Sequence, residues 1–385
     1  MLKDRTAIAG IGQTAYAKSL PDSELVLACR AIKAALDDAG IHPSEVDGLS
    51  SYTLEPFVEV EVARNLGMGD ITWFSQVGYG GGAGCAVVGN AAMAVATGQC
   101  GVAVAWRSRK RGAAAARPWA QVGERVAGTG QWSRPWGLLR PVDEIAVLAR
   151  RYMHEYGATR DHLANVAIAI RKHANRNPAA MMHGKPMTRD DYMRSRWVSE
   201  PLCLFDNCLE SDGAVAAVIV DASRAAELPQ PTVLIHAFGQ GLNTQHQTMT
   251  NYHRDDPLMG PAWACAEVLW RHADFGPADV KVAQIYDAFS PLIPLSLEGY
   301  GFCKRGEGAE FTNDGNIEWP DGALPVNTSG GGMSEAYVHG FNLVAEAVRQ
   351  VRGTSTAQVD RADTGLVTSG EGVPTSALLL RAGDR

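Results

Sequence analysis

The chain has 385 residues, a formal net charge of −7, 46% hydrophobic residues and 20% charged residues. This length is enough for two domain-sized cores. The acidic balance argues against nucleic acid and anionic membranes as partners. No apolar run reaches the roughly 18 residues of a transmembrane helix, and the N-terminus does not resemble a signal peptide. We therefore expect a cytoplasmic globular protein that binds neither nucleic acid nor membrane.

The cysteine pattern bears on metals and redox state. Seven cysteines occur, an odd number, and no Cys-x-x-Cys pair exists. This spacing fits neither a structural zinc site nor a disulfide framework. We expect mostly buried thiols in a reducing compartment, and no metal bound by this chain.

The predicted elements begin with an apolar strand at 7–11 and a helix at 22–39, which Gly40 ends. Apolar residues recur along this helix at three- and four-residue spacing, which is typical of an amphipathic helix. Pro43 then leads into a second predicted strand near Leu49.

A similar series of elements returns late in the chain, with a helix at 261–272, then Pro277, then a strand at 282–286. A second pair of segments supports the repeat, because glycines at 80–82 and at 330–332 each lead into a helix. Two matched series in the same order indicate duplicated halves, each a βαβ-type unit of an α/β fold.

We divide the chain accordingly into an N-terminal half, 1–225, and a C-terminal half, 226–385. Within the first half, residues 107–211 look irregular and contain most of the central aromatic residues and histidines. We expect this stretch to be an insertion that lies over the functional site. An apolar run at 213–220 is predicted to be the buried strand that closes the first half.

Three further segments resemble motifs of a known family. They are Cys208 with 211–214, the segment 171–178, and the Asn-Thr-Ser-Gly-Gly run at 327–331. Together they resemble the thiolase superfamily, in its branch of lipid-transfer-protein (SCP2-type) thiolases. The resemblance implies a five-layered αβαβα fold and a tight homodimer.

The four chemical stations of a thiolase are changed in this chain. A thiolase needs a nucleophilic cysteine at a helix N-terminus, a histidine that activates it, an Asn or His that helps hold the oxyanion, and a second cysteine. Motif matching places Tyr337 at the histidine position and Tyr286 at the Asn/His position. The nucleophile position falls within 80–82, and the last cysteine falls near Ser369. The resemblance therefore implies chemistry without the thiolase cysteine.

Tyrosine at both positions is similar to the bacterial steroid side-chain aldolases of this superfamily. Members cleave a 17-hydroxy steroid 20-carboxyl-CoA ester by a retro-aldol reaction into a 17-ketosteroid and propionyl-CoA. The resemblance implies that Tyr286 and Tyr337 are catalytic, that the substrate is a steroid CoA thioester, and that no cofactor is required. It also implies a partner protein with a zinc-binding OB-type (DUF35) domain, in a two-plus-two complex.

A retro-aldol reaction needs a base for the hydroxyl proton, donors for the thioester oxygen of the enolate, and an acid for the α-carbon. Two tyrosines that face one another fit the base and the acid, in either assignment. The pKa of free tyrosine is about 10, and lowering it by about 3 units corresponds to about 4 kcal/mol. His339 or a row of backbone N–H groups is better suited to lower the pKa of a tyrosine than Asp287, which is negatively charged.

For the enolate oxygen, we expect the backbone N–H groups of two glycine-rich loops, since glycine lets the backbone approach a ligand closely. The candidates are Gly81, Gly82, Gly370 and Gly372. His339 has two interpretations, as a residue that tunes Tyr337 or as a helix cap.

Structural interpretations compete at several positions. Cys85 is favoured as a small buried residue over a displaced nucleophile, and Glu335 as a solvated or capping residue. The basic run 107–111 is favoured as a solvated loop, with contact to CoA phosphates or to the partner as the alternative. Four aromatic residues are favoured as packing residues over pocket walls: Trp119, Trp132, Trp136 and Tyr152.

Three functions remain open at this point. The first is a carbon–carbon lyase of the retro-aldol type on a steroid-like CoA ester. The second is a non-catalytic acyl-CoA or lipid-binding protein, since fold does not dictate function. The third is a thiolase that uses Cys85 after a local rearrangement.

Overall fold

The structure is a computed structural model that describes residues 2–111, 126, 128–245, 249, 251, 254–371 and 373–383. The strands are β1 (Thr6–Gln13), β2 (Gly48–Tyr52), β3 (Trp73–Val77), β4 (Val102–Arg109), β5 (Trp197–Ser199), β6 (Leu202–Cys203), β7 (Gly213–Asp221), β8 (Val233–Gly241), β9 (Val282–Gln284), β10 (Thr364–Thr368) and β11 (Thr375–Ala382). The helices are α1 (Glu24–Ala39), α2 (Glu59–Leu66), α3 (Gly84–Ala96), α4 (Pro141–Tyr156), α5 (Arg160–Ala174), α6 (Arg189–Met193), α7 (Ala222–Ala225), α8 (Pro261–His272), α9 (Leu292–Gly299), α10 (Gly308–Phe311) and α11 (Phe341–Arg352).

Nine of these strands form a single mixed sheet in the order β3-β2-β4-β7-β1-β8-β11-β10-β9. The first five come from the N-terminal half and the last four from the C-terminal half. The halves join at β1 and β8, which share only two pairs of residues, Ala7 with Leu234 and Ile8 with Val233. Strands β5 and β6 form a separate small hairpin.

The two halves repeat one topology. Strand β2 runs parallel to β4, and β9 runs parallel to β10. Strand β7 is antiparallel to β1 and β4, as β11 is to β8 and β10. Beside β9, Val326 forms a parallel bridge to Ala283 at the place that β3 occupies in the first half. A 3₁₀ turn that begins at a proline, Pro43 or Pro277, precedes the second strand of each half. The predicted duplicated α/β fold is confirmed.

The helices form layers on both sides of each half-sheet. Helix α1 packs on β1, β7 and β4, and α8 packs on β8 and β11. Helices α3 and α11 each contact strands of both halves, so they form a central layer. The order is the predicted five-layered αβαβα. Central position explains the composition of α3, because a helix covered on both sides is apolar nearly all round.

The described part of the insertion is mainly helical, so the prediction of an irregular stretch at 107–211 is wrong. Helices α4 and α5 account for much of it, and α4 buries residues spaced three and four apart along one face, including Ile145, Ala149 and Tyr152. Its start is marked by Pro141 at the first helical position. The division of the chain at residue 225 stays a prediction.

Within the described ranges, no helix is both long enough and apolar enough to cross a membrane.

Candidate active site

The two tyrosines predicted to be catalytic meet in the structure. Tyr286 lies just after β9, and Tyr337 follows a short π-helical turn at Gly331–Glu335. Their phenol oxygens are hydrogen-bonded to each other, and their ring centroids are 6.1 Å apart. Both side chains are buried. A pair of phenols in direct contact can pass a proton from one to the other.

Neighbouring strands and loops fix the backbone of each tyrosine. The Tyr286 N–H donates to Thr368 Oγ1 at 3.2 Å, at the end of β10. The Tyr337 N–H donates to Ser211 Oγ at 2.8 Å, just before β7. Asn327 holds the residue before Tyr286 by accepting from the N–H of Ile285 and donating to its carbonyl, each at 2.7 Å. These contacts hold the phenols on rigid elements, as a catalytic pair requires.

Asp287 connects the two tyrosine segments. Its carboxylate accepts from the N–H groups of Gly332 and Met333, at 2.7 and 3.1 Å, within the π-helical turn that leads to Tyr337. Burial raises the pKa of Asp287 to about 6, and these two backbone donors oppose the rise. Asp287 therefore ties the Tyr286 segment to the turn that leads to Tyr337.

A cavity of about 1240 Å³ opens beside the pair and has both tyrosines in its wall. Apolar side chains from the insertion and from the C-terminal half line it, among them Val142, Phe205 and Phe289. Its volume exceeds the roughly 300–1000 Å³ of common small-molecule sites, so it can hold a ligand larger than a typical metabolite. Residues of the predicted insertion thus form part of the cavity wall.

The aromatic residues that were predicted to pack differ in their burial. Trp132 and Trp136 are exposed and lie outside the cavity wall, so the packing prediction is wrong for these two residues. Tyr152 is buried and donates to Glu298, which places it in the core. Trp119 lies outside the described residues.

The glycine loops come very close to the phenols. A Cβ at Gly81 would lie 1.9 Å from Tyr286 Oη, so only glycine fits there without moving the tyrosine. The N–H of Gly82 donates to the carbonyl of Tyr79, and that of Gly370 donates to the carbonyl of Gly81. Within the described chain, no acceptor lies within hydrogen-bonding distance of the Gly81 N–H. Of the three predicted glycines that the structure describes, Gly81 is the one whose amide is not engaged within the described chain; Gly372 lies outside the described residues.

Cys85 begins helix α3 but faces the core. Its side chain is 1% exposed, and its N–H donates to Ser369 Oγ at 2.9 Å. Burial raises the pKa of the Cys85 thiol to about 12. A helix N-terminus lowers the pKa of an accessible cysteine, but the buried thiol here stays protonated and lies outside the cavity wall. This geometry argues against a thiolase that uses Cys85.

The basic run is not a solvated loop, and that prediction is wrong. Strand β4 continues to Arg109, and the side chains of Arg107 and Arg109 are buried. Arg107 forms an ion pair with Glu55 at 2.8 Å, and its Nε–H donates to His339 Nδ1 at 3.2 Å. Arg109 Nη1 lies 2.6 Å from His339 Nε2. Sheet pairing with β7 draws these residues inward, which their charge alone did not indicate.

His339 lies between these guanidinium groups. Burial, together with Arg107 and Arg111, lowers the pKa of His339 well below its usual value. The imidazole is therefore neutral and supplies no positive charge to Tyr337. No side-chain hydrogen bond caps helix α11, which begins two residues later, so the helix-cap interpretation is not observed.

Burial and nearby charges set the protonation state of the two phenols. Burial raises the pKa of both tyrosines above the usual value. For Tyr286, the charge and hydrogen bond of Tyr337 and the charge of Cys208 raise the pKa further, whereas Arg111 lowers it. For Tyr337, Cys208 adds to the rise, whereas Arg111, the hydrogen bond from Tyr286 and Arg107 lower the pKa. Both phenols of the pair are therefore protonated before reaction.

Sequence and structure comparisons agree with this geometry. The model of the thiolase N-terminal domain matches residues 4–224, and a thiolase C-terminal domain-like model matches 243–380. The chain belongs to the thiolase family.

Two curated relatives of this thiolase-family chain are similar over almost its whole length. It is 46% identical to the steroid side-chain-cleaving aldolase of Thermomonospora curvata, covering 99% of both chains. It is also 46% identical to the 17-hydroxy-3-oxo-4-pregnene-20-carboxyl-CoA lyase of Mycobacterium tuberculosis, covering 99% of this chain and 100% of that one. A solved structure named "Ltp2-ChsH2(DUF35) aldolase" is 45% identical over 99% of each chain, with a TM-score of 0.94.

Two features of this thiolase-family site were missed by sequence reasoning. The first is the inward face of β4, which the alternation of Arg107, Arg109 and Arg111 indicates, since alternate residues of a strand share a face. The second is Glu335, predicted to be solvated or capping, which is fully buried. It accepts from Ser329 Oγ at 2.7 Å and from the side-chain amide of Asn342 at 2.9 Å. No local sequence signal marks that burial.

Proposed function

We propose that this chain is a carbon–carbon lyase that performs a retro-aldol cleavage. Its substrate is a 17-hydroxy steroid 20-carboxyl-CoA, and its products are the 17-ketosteroid and propionyl-CoA. The observation that carries this proposal is the hydrogen-bonded pair of Tyr286 and Tyr337 in the wall of a 1240 Å³ cavity. The names of the two relatives that are 46% identical support the same reaction.

The reaction needs no external reagent. The O–H bond of the tertiary hydroxyl breaks, a ketone forms at that carbon, and the bond to the α-carbon of the thioester breaks. Its electron pair becomes the enolate of propionyl-CoA. A proton then returns to the α-carbon, so atoms and electrons balance with a single proton moved from oxygen to carbon.

The tyrosine pair can move that proton without a resting phenolate. Because burial raises the pKa of both phenols, each is protonated before reaction. One phenol accepts the hydroxyl proton while it passes its own proton across the hydrogen bond, and the second phenol protonates the α-carbon. Such a relay removes the need, expected from the sequence, to lower the pKa of one tyrosine by several units.

The thioester oxygen needs a hydrogen-bond donor as negative charge develops on it. We assign this role to the N–H of Gly81, a residue of the cavity wall whose amide donates no hydrogen bond within the described chain. A preorganised backbone donor at this point stabilises the enolate more than the neutral thioester. No cofactor is required beyond the CoA group of the substrate.

We also propose a cytoplasmic homodimer that binds two copies of a zinc-binding OB-type (DUF35) partner. Strand β3 ends the sheet, where its outer edge pairs with no other strand of the described residues, and its Phe74 side chain is 69% exposed. Val58 and Val60 at the start of α2 are also exposed. Open strand edges with apolar side chains favour pairing with another copy. For the partner, the support is the printed name of the structure with a TM-score of 0.94.

The test is a product assay. The full chain, with and without a DUF35 partner, is incubated with 17-hydroxy-3-oxo-4-pregnene-20-carboxyl-CoA. We expect propionyl-CoA and the 17-ketosteroid in equal amounts. A formed complex that binds the CoA ester tightly and releases no product would overturn the proposal in favour of a binding protein.

A further inference from the structure

Arg171 is a buried arginine in the wall of the cavity beside the tyrosine pair. It lies in the last turn of α5, and the residue is 8% exposed. Burial lowers the pKa of its guanidinium, and within the described chain no carboxylate pairs with it. A buried cation without a counter-charge is costly, so a guanidinium at this place indicates a role beyond packing.

The chain itself uses only part of the hydrogen-bonding capacity of Arg171. Its Nε–H donates to Ser334 Oγ at 3.0 Å, and its Nη1 donates to the carbonyl of Lys185 at 3.2 Å. Its Nη2 donates to no acceptor of the described chain and is not fully buried. A guanidinium has five N–H donors in a planar fork, so three N–H groups remain for a ligand in the cavity.

The cavity wall near Arg171 is apolar. The centroid of the Phe205 ring lies 5.7 Å from the guanidinium carbon, and the N–H of Met182 donates to the carbonyl of Ser334. Two further methionines line the cavity, Met181 and Met333. A strong donor in apolar surroundings fits a ligand with an apolar body and an oxygen atom at its end.

Hydrated anions have other cations in the same wall. Lys18 and Arg196 both line the cavity and are exposed. Phosphate groups of CoA keep much of their hydration at such exposed cations, and they lose it beside Arg171 and Phe205. The surroundings of Arg171 therefore favour a carbonyl oxygen over a phosphate.

Arg171 lies away from the phenols but is connected to Tyr337 through its partner Ser334. Ser334 precedes Tyr337 by three residues, a stretch of chain that spans at most about 10 Å. Among the described residues, neither a hydrogen bond nor a ring contact joins Arg171 to Tyr286 or Tyr337. The cavity thus has a reacting end at the phenols and a second hydrogen-bonding point, which a long rigid ligand can contact together with them.

We propose that Arg171 binds the 3-oxo oxygen of the steroid and selects 3-oxo-4-ene substrates. This inference rests on the proposed retro-aldol reaction and names a residue that determines its specificity. In the substrate of the product assay, the 3-oxo group lies at the end of the ring system remote from the cleaved bond. Conjugation with the 4-ene increases the negative charge on this oxygen, and an ionised donor forms a stronger hydrogen bond with it than a neutral one.

The experiment compares the affinities of two 17-ketosteroids for the full chain by isothermal titration calorimetry. They are androst-4-ene-3,17-dione and androst-4-en-17-one, which lacks the 3-oxo group. We expect the parent chain to bind the 3-oxo steroid about 10- to 100-fold more tightly, as a hydrogen bond to a charged donor allows. Arg171→Met should bring this ratio close to one. An unchanged ratio in Arg171→Met, or no binding of either steroid to the parent chain, would overturn the proposal.

The ratio separates ligand binding from a purely structural role of Arg171. Loss of the contact with Ser334 alters the site for both steroids alike, so it lowers both affinities and leaves their ratio unchanged. Lys172→Met is the matched control, because the Lys172 ammonium pairs with Glu318 at 2.7 Å instead, and it should keep the ratio of the parent chain. If Arg171→Met does not fold, equal affinities of the parent chain for the two steroids would overturn the proposal.

Two further measurements distinguish the other outcomes. With the 17-hydroxy 20-carboxyl-CoA esters of both steroids, Arg171→Met should raise KM for the 3-oxo ester alone and leave kcat nearly unchanged, since the contact is remote from the cleaved bond. Weaker binding of free CoA to Arg171→Met, with an unchanged steroid ratio, would identify a phosphate as its ligand and overturn the proposal. A parent chain that discriminates between the steroids but releases no propionyl-CoA would overturn the proposed function and leave this site standing.

Discussion

At the scale of single residues, the site depends on a glycine as much as on the two phenols. Gly81 lies so close to Tyr286 that a methyl group there overlaps the phenol oxygen. We predict that Gly81→Ala lowers kcat about 100-fold, since a displacement of about 1 Å in a reacting group costs that much. Steady-state kinetics measures this. Gly276→Ala is the control, because a Cβ at Gly276 meets nothing within 4 Å; equal losses in both variants would contradict the role of Gly81.

The tyrosines could be predicted because each replaces a residue in a recognisable motif. The charged residues that surround them could not be predicted. From their charge, Arg107 and Arg109 were predicted to lie in a solvated loop. In the structure they belong to β4, whose pairing with β7 places their side chains inside the protein. His339 was expected to tune Tyr337 or to cap a helix, and its neutral state follows from burial beside arginines distant in sequence. Charge environments of this kind arise from long-range contacts, which one sequence does not display.

At the scale of elements, the π-helical turn before Tyr337 contains a buried acid that should make stability depend on pH. Burial raises the pKa of Glu335 from 4.5 to about 7. The folded state therefore binds this proton more tightly than the unfolded state, and stability falls as pH rises from 4.5 to 7. The full effect of such a shift is about 3 kcal/mol in the free energy of unfolding.

We predict that Glu335→Gln removes this part of the pH dependence, because an amide cannot ionise. Urea unfolding at pH 4.5 and at pH 7 measures the difference, with exposed Glu267→Gln as the control. The same slope in Glu335→Gln and in the parent chain would show that Glu335 keeps its proton equally in both states.

Some secondary-structure elements could be predicted from the sequence and others could not. The repeated order of helix, proline and strand indicated the duplicated halves, because each half uses the same local signals at Pro43 and Pro277. The prediction for the insertion was wrong even though α4 carries a helical signal, with buried residues three and four apart and Pro141 at its first position. The extension of β4 to Arg109 could not be predicted, because it depends on pairing with β7.

At the scale of the whole molecule, the free edge of β3 leads to a prediction about assembly. We expect Phe74→Glu to convert a dimer to a monomer, since a charge at an apolar interface is left without a partner. Sedimentation velocity measures the change. Trp136→Ser, which alters an exposed aromatic residue on the insertion, should leave the dimer intact. A monomeric parent chain, or a dimeric Phe74→Glu variant, would contradict the assignment of this edge.

The layered architecture explains how a thiolase-family fold can support different chemistry. The central helix α3 begins beside the site, but its Cys85 thiol is buried, and the loops above it bring together two phenols instead. In the mechanism that we propose, the scaffold keeps the cavity and the glycine loops, while changes at a few positions replace a nucleophile with a proton relay. Function in such a fold is determined by the residues of the site.

The central claim is that Tyr286 and Tyr337 together carry the proton of a retro-aldol cleavage. The most direct measurement is the rate of propionyl-CoA formation from the 17-hydroxy steroid CoA ester by the parent chain, Tyr286→Phe and Tyr337→Phe, with Tyr156→Phe as the control. We predict losses between about 100-fold and 10,000-fold for both site variants, since each removes one station of the relay. Full activity in either site variant would contradict the account.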